Sequence, residues 1–129
     1  MNTVLNSPVV KIDYDYSRKQ LVQTWTGFAS SGQFREAIDA TLHFSQSNPV
    51  RTIISDTLNQ SVVDPADTQY AASAMPKLFQ QGLKAMAFVM PKNVITQLSL
   101  KQFAEGKRSD NIKYFPSIIE ARKWLESFN

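Results

Sequence analysis

The chain contains no cysteine, which excludes disulfides, thiolate metal sites and thiol catalysis and permits a reducing compartment. A single histidine, His43, excludes a metal centre built on several imidazoles. Glycine and proline number only four and six, and no linker, low-complexity tract or internal repeat interrupts the sequence. No apolar run approaches the ~20 residues that a membrane-spanning helix needs. The start, Met1-Asn2-Thr3-Val4-Leu5-Asn6, lacks the basic head and long apolar core of a signal peptide, so the expectation is a cytoplasmic protein without a transmembrane segment. An excess of one charge is also missing. The net charge is +3, and basic residues are mixed with acidic ones except between Lys101 and Lys113. Nucleic-acid surfaces are denser and interleaved with aromatics, so that stretch reads as a solvated basic face and no nucleic-acid partner is expected.

What is present suits one core. A length of 129 residues, 43% of them apolar, predicts a single domain over 1–129, with residues 1–7 expected to be disordered. Val9 to Asp15 alternates, placing Val10, Ile12 and Tyr14 on one face and Lys11, Asp13 and Asp15 on the other. Leu21 to Trp25 is rich in β-formers and follows a turn at Ser17 to Gln20, so an antiparallel hairpin opens the domain.

Phe34, Ala37, Ile38, Thr41, Leu42 and Ser45 then recur at helical spacing, up to Asn48-Pro49. Val50 to Ser55 reads as a buried strand ending at Asp56. Asp64-Pro65-Ala66-Asp67 predicts a helix start with Asp64 as N-cap, and that helix should end at Gly82, with a kink or boundary near Pro76. Lys84 to Met90 is the most apolar run and reads as a central strand. A helix over Val94 to Glu105 and a short strand over Asn111 to Phe115 follow. Ser117 and Glu120 form a capping-box pattern that opens a last helix. The order β-β-α-β-α-β-α-β-α implies a mixed α/β sheet, with an antiparallel hairpin first and parallel strands later.

The stretch Trp25-Thr26-Gly27-Phe28-Ala29-Ser30-Ser31-Gly32-Gln33-Phe34 has the glycine spacing of a phosphate-binding loop. Such a loop needs Lys and Ser or Thr after its second glycine, where this chain has Gln33 and Phe34. It also follows a hairpin rather than a parallel strand. The stretch therefore reads as a turn whose serine, Ser30 or Ser31, caps a helix. His43 reads as a helix residue, and no nucleophile-elbow motif accompanies it. Asp13 and Asp15 supply too few oxygens for a dedicated cation site. No metal or cofactor is expected. Asp56 is the strongest single candidate for a site, because ligands of open α/β sheets gather beyond the carboxyl ends of parallel strands. A small enzyme using Asp56 is one consequence of that placement. Hydrogen bonding to loop amides is the other.

Several phrases together resemble SpoIIAA-like, STAS-related proteins. They are the hairpin ending Trp25-Thr26-Gly27, the strand Thr52 to Asp56, the segment Met75-Pro76 through Gly82 into Ala87-Phe88-Val89, and the ending Tyr114 to Leu125 with its Glu-Ala-Arg-Lys-Trp-Leu. The resemblance implies a STAS-like fold and a non-enzymatic regulatory module that binds a protein partner, a second copy of itself included. It places the candidate regulatory segment at Asp56, Thr57, Ser61 and Asp64, with Thr57 and Ser61 as phosphorylatable hydroxyls. The Asp-Ser-Ser-Gly phrase of the switchable members is absent there. The wider group also resembles lipid-binding CRAL-TRIO domains, which implies the alternative of a small-molecule or lipid carrier with an apolar cavity against the sheet.

Overall fold

The computed structural model describes residues 2–105 and 111–128. Its strands are β1 (Asn2–Asn6), β2 (Val10–Asp15), β3 (Gln20–Gly27), β4 (Thr52–Gln60), β5 (Ala85–Val89) and β6 (Ile112–Phe115). The helices are α1 (Ser31–Ser47), α2 (Pro65–Gln80), α3 (Lys92–Glu105) and α4 (Ile118–Leu125), with a closing 3-10 turn at Glu126–Phe128. All strands join one six-stranded sheet in simple sequential order. The β1–β2 and β2–β3 pairs are antiparallel, and the β3–β4, β4–β5 and β5–β6 pairs are parallel. This is the mixed sheet expected from the sequence, with one strand more at its start.

That strand corrects the expectation of disorder over residues 1–7. Asn2–Asn6 pairs with β2, and the register slips between Thr3 and Leu5. The slip breaks the two-residue alternation by which a strand is recognised, so Val4 and Leu5 both pack against the core. Asn2 Nδ2 donates to the Tyr16 hydroxyl at 2.7 Å, and Thr3 Oγ1 donates to Asp13 at 3.1 Å.

Because each parallel connection steps the same way across the sheet, right-handed crossovers put their helices on one face. There α1 and α2 cover Ile12, Tyr14, Leu21, Trp25, Ile53 and Met86. The other face is covered by α4, whose Ala121 and Leu125 pack on Val22, Ile54, Ala87 and Val89. Alanines at 85, 87 and 121 keep the contact surfaces shallow, which lets this short helix lie close to the sheet.

Local signals explain the helix ends. Ser30 and Gln33 form a reciprocal capping box, so Ser30 is the cap of α1. Gly27 just before it has φ +69°, a backbone conformation that L side chains rarely adopt. Asp64 caps α2 by accepting from Ala66 N, with Pro65 in the first turn. The helix runs on through Pro76 to Gln80. Pro76 is exposed, so water can take the carbonyl that the ring leaves unbonded. At α4, Ser117 Oγ accepts from Glu120 N but also donates to the Glu120 carboxylate, so only half of the expected capping box forms. The basic face expected between Lys101 and Lys113 lies largely outside the described residues.

Candidate functional site

The layer between the sheet and its helical cover is not filled. On the floor, β4 offers Ile53, Ser55 and Thr57, and β5 offers Met86 and Phe88. In the roof, α2 presents the small side chains Ala71, Ala72 and Ala74 beside Met75 and Leu78. Alanines at helical spacing remove roof volume where a packed core would carry leucine or isoleucine. The result is a cavity of about 690 Å³, within the ~300–1,000 Å³ range of small-molecule sites. Its lining extends to Gln60 at the end of β4, to Ser61 and Val62 after it, and to Met90 and Pro91 after β5, so it reaches the carboxyl end of the parallel strands, where α/β sheets bind ligands. Beyond the pair Asp56–Val89, β4 runs on without β5 beside it and pairs only with β3.

Among the described residues, no charged side chain lines the cavity. Its polar groups are few. Gln23 and Ser55, each only 3% exposed, are neighbours in the β3–β4 ladder. Gln23 Nε2 donates to Thr41 Oγ1 at 2.9 Å, and Thr41 Oγ1 donates to the Ala37 carbonyl at 2.9 Å. Thr57 Oγ1 donates to the Val89 carbonyl at 2.8 Å, tying β4 to the end of β5. Phe88 and Tyr114 stack with ring centroids 5.6 Å apart and form one apolar wall.

The four residues selected from the sequence divide. Thr57 and Ser61 line the cavity. Asp56 does not: the alternation that points Ile53 and Ser55 into the cavity turns Ile54 and Asp56 to the face that α4 covers in part. The strand also does not end at Asp56 but continues to Gln60, because β3 is long enough to pair Thr26 with Asn59 and Gly27 with Gln60 past a register shift. Asp56 Oδ1 accepts from Leu58 N at 3.2 Å, within that shifted segment. Asp64 is the helix cap, its Oδ1 2.8 Å from Ala66 N. Gln23 and Ser55 were not selected. Their signal was present all the same: a polar residue at an inward position, between Leu21 and Trp25 in one strand and after Ile53 in the next.

A second polar group pins α1 to α2. Asp67 accepts from Ser31 Oγ at 2.7 Å and from Arg35 Nε at 2.9 Å. The Ser31 hydrogen bond, reinforced by Arg35, holds its carboxyl below the usual aspartate value. The Arg35 guanidinium lies 4.8 Å from the Tyr70 ring centroid, and the Tyr70 hydroxyl donates to Asp39. That hydrogen bond to a carboxylate, followed by burial, raises the Tyr70 pKa. The cluster orders the helices at the roof. His43 is exposed on α1. Among the described residues, no group of three or more histidines, aspartates and glutamates could hold a metal ion. None of their helices is long and apolar enough to cross a membrane.

No protein-family model matches the chain. No curated protein matches it either. Among solved structures, it is similar to an uncharacterized protein of the DUF3478 family from Shewanella loihica PV-4, described as having a SpoIIAA-like fold. The TM-score is 0.65 at 12% identity, over 94% of this chain and 97% of that one. The fold of this chain is thus SpoIIAA-like, as the sequence resemblance implied.

Proposed function

We propose that this protein is a non-enzymatic binding module that holds a small, mainly apolar molecule between its sheet and helices α1 and α2. The observation that carries this reading is the cavity itself: about 690 Å³, apolar over most of its wall, opening where parallel strands end. Burying apolar surface of the ligand supplies the affinity at ~25 cal/mol per Å² before the costs of association are subtracted. The experiment is a fluorescence titration with phenylnaphthylamine, a neutral dye that brightens in apolar surroundings. Saturable one-to-one binding that is lost in Ala71→Trp, where the indole occupies the cavity, supports the reading. A non-saturable signal, or one unchanged in Ala71→Trp, overturns it.

A second reading, association with another copy of the chain, draws on Val62, an apolar side chain 89% exposed at the cavity rim, and on the exposed Leu58 near it. Sedimentation equilibrium of the wild type against Val62→Asp tests it, a dimer that the substitution dissociates being the supporting result.

A further inference from the structure

We infer that the cavity is built for a neutral ligand with a hydroxyl group on an apolar body, and that this hydroxyl docks on Gln23 and Ser55. The inference rests on the carrier reading above and adds the chemical class of the ligand.

The orientation of Gln23 follows from its neighbour. Thr41 has one hydroxyl proton and gives it to the Ala37 carbonyl, so towards Gln23 it can only accept. Gln23 therefore turns its amide nitrogen to Thr41 and leaves Oε1 free as an acceptor. Neither Gln23 Oε1 nor Ser55 Oγ has a hydrogen-bond partner among the described residues, and neither belongs to the sealed-in unpartnered atoms, which are Gln81 Oε1 and Arg122 Nε. Both open into the cavity instead. Buried polar groups in folded proteins are almost always partnered, so an acceptor and a hydroxyl side by side on an apolar floor mark a place where a guest completes the hydrogen bonding.

The pair also selects the guest. A hydroxyl can donate to Gln23 Oε1 while exchanging a hydrogen bond with Ser55 Oγ. An alkane displaces water from both groups and replaces neither bond, the situation in which polar sites discriminate most strongly. An ionised carboxylate brings only acceptors to Gln23 Oε1, and no described cation lines the wall to balance its charge.

The test is displacement of phenylnaphthylamine by decanol, decane and decanoate at pH 8, with wild type, Ser55→Ala and Gln23→Leu. Decanol should displace the dye at the lowest concentration, with decanoate weaker by on the order of tenfold or more. Each substitution should weaken decanol roughly two- to tenfold and leave decane no weaker. Equal affinity of decane and decanol for the wild type, tightest binding by decanoate, or a decanol preference that survives both substitutions overturns the inference and leaves the carrier reading standing. The wild-type ranking needs no variant to fold. Absence of saturable dye binding overturns both.

Discussion

Gln23 on β3 and Ser55 on β4 are paired across a parallel ladder, both almost fully buried, with an acceptor and a hydroxyl turned into the same apolar cavity. Neighbouring positions on this face, Leu21, Trp25 and Ile53, are apolar core residues. The pair is thus a polar spot within the apolar floor.

Narrowing the roof should remove binding without removing the fold. Ala71 is half-buried and borders the cavity, so Ala71→Phe adds a ring where space already exists. We expect a melting temperature unchanged or raised, since filling a void restores dispersion contacts, together with dye affinity at least about tenfold lower. Thermal denaturation and dye titration on one preparation check it.

The α1–α2 clasp should show in the acid limb of stability. The folded-state pKa of Asp67 is lowered, first by the Ser31 hydrogen bond and then by Arg35. Its stabilising contribution is therefore fully present above the unfolded aspartate value of about 3.9 and is lost as pH falls through the lower folded value. Urea midpoints of wild type and Asp67→Asn should be separated from neutral pH down to about 4 and converge below that. A separation that persists in strong acid contradicts the assignment.

Asp56 and Asp64 should behave as structural residues. Asp64→Ala removes an N-cap and should cost about 1 kcal/mol, within the usual 0.5–2 kcal/mol, with dye affinity intact. Asp56→Asn lies on the face away from the cavity and should likewise leave binding unchanged. A loss of binding in either, measured by the same titration, would return the site to the segment first read from the sequence.

Leu125 separates the two layers. It is the last residue of α4 and is fully buried against the sheet face opposite the cavity. Leu125→Ala should destabilise by about 2–5 kcal/mol in equilibrium unfolding while the folded fraction binds the dye with wild-type affinity.

The fold was readable where a pattern repeats. Val10, Ile12 and Tyr14 announced a one-sided strand, Asp64-Pro65 a helix start, and the run through Val89 a central strand. β1 was hidden because its register slip spoils alternation. The extension of β4 to Gln60 was hidden because it depends on β3 being there to pair with it, a fact of tertiary structure that no local window holds. The candidate site was legible in part: the resemblance implied an apolar cavity against the sheet, and Thr57 and Ser61 line the cavity, whereas Gln23 and Ser55 were not selected. A cavity is absent volume, left where Ala71 and Ala74 carry too little side chain to fill the layer between roof and floor, and no local window of sequence holds it. Asp56 was read as a strand end, whereas β4 continues to Gln60 and its alternation turns Asp56 to the face away from the cavity.

The most direct measurement is the set of intermolecular nuclear Overhauser effects in a complex of the full chain with decanol. The account predicts contacts from the alkyl chain to the methyl groups of Ala71, Met75 and Met86, with the carbinol methylene nearest to Ser55. Contacts confined to exposed side chains such as Val62 and Ile119, or none at saturating decanol, would contradict it.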